Sequence, residues 1–336
     1  MIQTSNGKKL WAVGGGKGGI GKSIFTLGLA ISLARLGKKV IVMDADLGGA
    51  NLHTLMGVRY PTNTLEDFLL KRVENLEDIV LDSQVAGIGL ICGADDILGA
   101  ANPTYSQKLR VLNQIESLPA DFVLLDLGAG TSFNTLDFFN YSSGKISVFT
   151  SQATSLQNVY GFLKNSLYRQ ISRDFAKDEY VLWLLYQSGS KTPEAKVESI
   201  GDLLSYVQRK NPESYEELRQ MLRNYQVMLV VNMIKTDRDF QAAQIIQNVS
   251  QRFLELAPQV LGYMHYDQAV EHAVNQMVPF PLNAEKSRAA EELKDIAQVI
   301  IEKFAPHQGF GETGEQAEEE TAANGSWSSF WRRAPA

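Results

Sequence analysis

The segment that most constrains how this chain can fold is its first apolar run, Leu10-Trp-Ala-Val-Gly14, which leads directly into Gly15-Gly-Lys-Gly-Gly-Ile-Gly-Lys-Ser23. Apolar residues then recur at helical spacing from Lys22 to Leu36, and a second short apolar run follows at Val40–Met43. Strand, glycine-rich turn, helix and strand in this order make a βαβ unit. Further runs at Gly89–Cys92, Phe122–Asp126, Ile146–Thr150, Tyr180–Leu185, Val227–Asn232 and Val260–Met264 read as strands, with helix-like stretches between most of them. The expected fold is α/β: a mostly parallel twisted sheet flanked by helices on both faces.

The glycine-rich turn also carries chemistry. Gly16-x-x-x-x-Gly21-Lys22-Ser23 sits between a predicted strand and a predicted helix, the context in which this spacing makes a phosphate loop. Backbone N–H groups from Gly16, Gly18, Gly19, Ile20, Gly21 and Ile24 would close around phosphate oxygens, and the helix N-terminus adds partial positive charge. Lys22 would bridge the β- and γ-phosphates, and Ser23 would offer a hydroxyl to Mg²⁺.

Two strands end in carboxylates. Asp44-Ala-Asp46 closes the second strand, and Phe122-Val-Leu-Leu-Asp126 reads as a buried strand whose aspartate would reach Mg²⁺ through water. The flexible Gly128-Ala-Gly130-Thr131 behind it would sense the γ-phosphate. In Val230-Val-Asn232 the amide is placed to donate to and accept from an adenine edge. The structural alternatives are solvated turn aspartates at Asp44 and Asp46 and a plain strand-end turn at Gly128–Thr131.

Composition narrows the partners. The 336 residues, 44% hydrophobic and 21% charged with a net charge of −6, describe an ordinary globular chain and exclude a broadly basic surface. Cys92 is the single cysteine, so no internal disulfide or cysteine-rich cluster site can form. His53, His265, His272 and His307 lack metal-ligand spacing. Met1–Leu10 is polar and no run approaches a membrane span, so a cytoplasmic protein is expected.

The phosphate loop, with its second lysine Lys17, resembles the deviant Walker A motif of the MinD/ParA superfamily. Asp44-Ala-Asp-Leu-Gly-Gly-Ala-Asn51, Asp126-Leu-Gly-Ala-Gly130, Val231-Asn-Met233 and Leu261-Gly-Tyr-Met-His-Tyr-Asp267 look like MinD and its relative FlhG, over most of Lys9 to Phe304. Gln152-Ala153 stands where that branch has Glu-Pro, Gln187–Tyr225 looks like a helical insertion at the sheet's edge, and Met1–Lys8 lacks the activating motif associated with FlhG. The resemblance implies an ATP sandwich homodimer with ATP/ADP and Mg²⁺ as ligands. In it Lys17 reaches the partner's phosphates, Asp44 holds a Mg²⁺-bound water, Asp46 positions the attacking water, and Pro279-Phe280-Pro281 covers adenine. It also implies slow ATP hydrolysis stimulated by a protein partner.

The chain is expected to divide into an ATPase domain at 1–305, an acidic linker at 306–325 with five glutamates between Glu312 and Glu320, and a candidate membrane-targeting segment at 326–336. Trp327, Phe330 and Trp331 are spaced to share one helical face, with Arg332 and Arg333 beside them for anionic head groups. The expected location is therefore the inner face of the cell membrane, reached peripherally by the ATP dimer. The alternatives are a tail that binds a protein or nothing, and a ParA-like partition or cargo-positioning ATPase that grips DNA through Lys235, Arg238 and Arg252. Iron–sulfur carriers on the same fold need cysteines this chain lacks, and tyrosine kinases with a similar loop end in tyrosine clusters, whereas no tyrosine follows Tyr266.

Overall fold

A computed structural model describes residues 10–46, 49–93, 103–187 and 196–304, all within the unit Met1–Ala305. Leu47, Gly48 and the proposed targeting residues Trp327, Phe330, Trp331, Arg332 and Arg333 lie outside the described residues. In chain order the elements are β1 (Leu10–Gly14), α1 (Lys22–Arg35), β2 (Val40–Ala45), α2 (Leu52–Leu55), α3 (Leu65–Leu69), β3 (Leu81–Asp82), β4 (Ile88–Ile91), α4 (Tyr105–Ile115), β5 (Phe122–Leu127), α5 (Phe133–Tyr141) and β6 (Gly144–Phe149). They continue with α6 (Ala153–Asp174), α7 (Glu179–Gln187), α8 (Ile200–Lys210), α9 (Pro212–Asn224), β7 (Met228–Ile234), α10 (Gln241–Leu254), β8 (Gln259–His265), α11 (Gln268–Asn275) and α12 (Arg288–Phe304).

The strands form one sheet in the order β3-β4-β2-β5-β1-β6-β7-β8, parallel throughout except for the short edge strand β3, which runs antiparallel to β4. Successive side chains in a strand point to opposite faces, and both faces here are apolar. Trp11 and Val13, Val40 and Val42, and Phe122 and Leu124 join one core with α1 and α12. Ala12, Ile41 and Met43, and Val123 and Leu125 join a second core with α5, α6 and α10. Such double-sided burial explains why the strands read as unbroken apolar runs.

The apolar run Tyr180–Leu185 is a helix, α7, and not the strand its composition suggests. Val181, Leu184 and Leu185 are buried at i, i+3 and i+4 spacing on one face, against the same core as α6. The polar stretch that follows forms α8 and α9, started by a Ser199/Asp202 capping box and by Pro212 at the first turn. Ile200, Leu203, Val207, Leu218 and Leu222 extend the core around α6 and α10, so this insertion thickens one helical layer. The sheet order puts β5 between β2 and β1, which brings the carboxyl ends of the first two predicted βαβ strands to either side of Asp126.

Candidate functional site

The loop after β1 is shaped by the backbones packed around it. A Cβ on Gly16 would fall 2.1 Å from the carbonyl oxygen of Asn158 in α6, and one on Gly15 would fall 2.7 Å from that of Val148 in β6. Only glycine fits at either position. Gly21, at φ 86°, turns the chain into α1 without a side-chain cap, so the first-turn N–H groups of the helix face the loop with no side-chain acceptor. These donors are what a phosphate needs.

Lys22 is buried at 8% exposure and donates to the Lys17 carbonyl at 3.4 Å. Burial lowers its pKa below the ordinary lysine value, while Asp126 and Asp46 act in the opposite direction. Lys17 is exposed and its Nζ donates to Thr154 Oγ1 at 3.3 Å, at the start of α6.

Asp44 and Asp126 are register partners on neighbouring strands and are almost wholly buried, at 1% and 2% exposure. Asp44 accepts the backbone N–H groups of Asp46 at 3.1 Å, Asn51 at 2.9 Å and Leu52 at 3.0 Å. Asp126 accepts the Thr26 hydroxyl at 3.3 Å and is also bonded by Ser23. Burial pushes Asp44 up to about 6 against the pull of its backbone donors. Burial and the adjacent Asp44 push Asp126 up to about 7, against Ser23, Lys22 and Thr26. Two facing carboxylates with one nearby lysine are short of positive charge. Carboxylate and hydroxyl oxygens are the hard donors Mg²⁺ takes, so the donor set of Ser23, Asp44 and Asp126 fits that ion.

Asp46 is partly exposed and its carboxylate rests on Gly128, the first residue after β5. A Cβ on Gly128 would lie 2.7 Å from Asp46 Oδ1. Asp46 therefore packs against Gly128, and, two residues on, Gly130 takes φ 89°.

On the other side of the loop lies a cavity of about 280 Å³ whose lining includes Gly21, Ile24, Asn232, Met233, Tyr266 and Phe280. Its walls are largely apolar, a surface suited to a flat base. Phe280 is buried, and the neighbouring Pro279 opens a turn closed by the Leu282 N–H donating to its carbonyl at 3.0 Å. Asn232 reaches the cavity, but its Nδ2 donates to the Ile20 carbonyl at 2.8 Å and its Oδ1 accepts the Met233 N–H at 2.9 Å. Met233 has φ 59°, a left-handed conformation that costs a non-glycine residue about 1–2 kcal/mol.

The structure thus gathers Gly16 to Ile24, Asp44, Asp46 and Asp126 on one edge of the sheet, with Asn232, Pro279 and Phe280 beside them. Sequence reasoning missed Thr26, whose hydroxyl also donates to the Lys22 carbonyl at 2.9 Å; its place one helical turn after Lys22 was the available signal. It also missed Met233 and Tyr266 in the cavity wall, which no spacing announces.

Fold and site together define a P-loop nucleoside triphosphatase. A family model described as ParA: NUBPL iron-transfer P-loop NTPase matches residues 6–165. The chain is 24% identical to the antiactivator FleN of Pseudomonas aeruginosa over 86% of its own length and 85% of FleN. It is 33% identical to the flagellum site-determining protein YlxH of Helicobacter pylori over 46% of its own length and 53% of YlxH. The cell division ATPase MinD of Pyrococcus furiosus shares the fold with a TM-score of 0.57 at 20% identity, covering 89% of this chain and all of that one.

Proposed function

We propose that this chain is an ATP-hydrolysing switch that positions a cellular structure, active as a homodimer around ATP. The observation that carries the reading is the placement of a buried lysine, a bare-backbone loop and two buried carboxylates at the carboxyl edge of one parallel sheet, where open α/β sheets bind ligands. The names of FleN, YlxH and MinD, a flagellar antiactivator, a flagellar site-determining protein and a cell division ATPase, support a positioning role.

Gly16, Gly18, Gly19, Ile20, Gly21, Ser23 and Ile24 supply the backbone cradle for the α- and β-phosphates, and Lys22 stabilises charge that develops on the γ-phosphate. Ser23, Asp126 and Asp44 hold Mg²⁺, which when bound neutralises phosphate charge. Asp46 orients the attacking water, and Gly128–Gly130, of which Gly128 lies against the Asp46 carboxylate, report on the γ-phosphate. Ile24, Phe280 and Pro279 bound the base. Lys17 leaves Thr154 to reach the phosphates of a second copy, which makes dimerisation depend on ATP. Intrinsic turnover is slow and rises on contact with a protein partner. The tail containing Trp327, Phe330, Trp331, Arg332 and Arg333 binds anionic membrane weakly in one copy and usefully in two. Among the described residues no helix is long and apolar enough to cross a membrane.

Two measurements test this. Mg²⁺-dependent release of phosphate from ATP should be present in the full chain and lost in Lys22→Gln. Sedimentation with anionic liposomes, in ADP and in ATP with hydrolysis blocked, should show ATP-dependent pelleting that disappears when the chain ends at Ala323. Protein that stays in solution in every state would remove the membrane role, and the ATP-locked form would then be tested on DNA.

A further inference from the structure

We propose that Asn232 is a positioning residue for the phosphate loop. This rests on the reading of the loop as a nucleotide site. Three features meet at one point, two from the end of β7 and one from the loop 212 residues before Asn232. The first is the amide itself: Nδ2 donates to the Ile20 carbonyl at 2.8 Å, and Oδ1 accepts the Met233 N–H at 2.9 Å, so both ends of the group are held by backbone. The second is the strand beneath it. The pairing of β7 with β8 shifts between Val231 and Ile234, and Met233 within that irregularity takes φ 59°. A non-glycine residue stays in that conformation only when its surroundings hold it there. The third is the loop. A Cβ on Gly21 would lie 2.4 Å from Asn232 Nδ2, so the amide can approach only because Gly21 has no side chain.

These features form a hook. The irregularity in β7 turns Asn232 toward the loop, the bare Gly21 admits it, and the hydrogen bond fixes the peptide between Ile20 and Gly21. That peptide's own N–H, on Gly21, and the N–H of Lys22 belong to the stretch that would enclose phosphate, so Asn232 pre-orients donors it does not itself supply. One N–H and one lone pair of the amide are used on the protein, and the loop bond alone is what the positioning role requires.

The test compares the full chain with Asn232→Ala and with Asn232→Leu, which keeps side-chain bulk and guards against misfolding. Affinities are measured in Mg²⁺ for a non-hydrolysable ATP analogue, the matching GTP analogue and inorganic tripolyphosphate, which has no base. Hydrogen exchange of the loop peptide is followed in nucleotide-free protein. The proposal expects a loss of about 10-fold for all three ligands, tripolyphosphate included, the size of one hydrogen bond, and faster exchange across residues 18–22. Loss confined to the ATP analogue, with tripolyphosphate unaffected, makes Asn232 a base reader and overturns it. So do unchanged affinities and exchange with only a lower Tm, which mark a purely structural residue. If the unsubstituted chain binds none of the three, the nucleotide site itself is misread.

Discussion

Two groups of buried carboxylates sit in this protein under opposite electrostatics. Asp137 of α5 is bonded by Arg169 Nε at 2.7 Å and Nη2 at 3.1 Å and by Lys108 Nζ from α4. Burial pushes its pKa up, but Arg169 and Lys108 prevail and hold it below the ordinary aspartate value. Among the described residues Asp44 is held by backbone N–H groups and Asp126 by Ser23, Thr26 and the charge of Lys22, and burial still pushes them up to about 6 and about 7. The first cluster is neutralised within the fold and ties α4, α5 and α6 together. The second is left short of cations at the place where a ligand would bring them. Perturbed carboxylates of this second kind mark a functional site, whereas those of the first kind mark architecture.

The widest separation between the two should come from Asp137→Ala, which leaves Lys108 buried without a counter-charge. A loss of about 3–5 kcal/mol is expected, read as a fall in denaturation midpoint. A loss below 1 kcal/mol would place Asp137 outside the framework. Lys22→Gln should lower kcat by about 100-fold or more, the scale of removing one transition-state donor, with the circular dichroism spectrum unchanged. Asp126→Asn sharpens the contrast through pH. The folded pKa of Asp126, about 7, lies above the ordinary aspartate value of 3.8, so the folded state holds its proton more tightly and stability falls as pH rises through that window. Nucleotide-free Asp126→Asn should therefore melt higher than the parent at pH 8 and match it at pH 4, while losing Mg²⁺-dependent turnover. An unchanged melting temperature at pH 8 would remove the charge deficit from the site. The smallest effect belongs to the exposed pair Arg35–Glu285, 2.7 Å apart with side chains 37% and 65% exposed. Glu285→Gln should cost less than about 0.5 kcal/mol in urea unfolding.

The sequence made the loop, Asp44, Asp46 and Asp126 legible because each stands at a fixed offset from a strand end, and strand ends in a parallel sheet share an edge. Strand order was not legible, and it is the order that sets Asp44 opposite Asp126. Tyr180–Leu185 misled because an apolar run of that length fits a strand or a buried helix face equally; the deciding fact is packing against α6. The Asp137 cluster joins residues 29 and 32 positions apart whose charges look like solvated helix faces in the sequence. Asn232 was legible as a residue of the site but not in its bonding, which depends on a left-handed methionine that no local pattern predicts.

The close contact between Gly16 and the Asn158 carbonyl has a mechanical consequence. With no room for a single methyl group between them, the loop cannot settle onto a ligand without pushing on α6. That helix is 22 residues long, and Asp174 at its end lies about 24 Å beyond Asn158 at the helical rise per residue. Val159, Phe162, Leu163, Leu167 and Ile171 fix that length in the core, so the loop abuts a wall that is itself held in place.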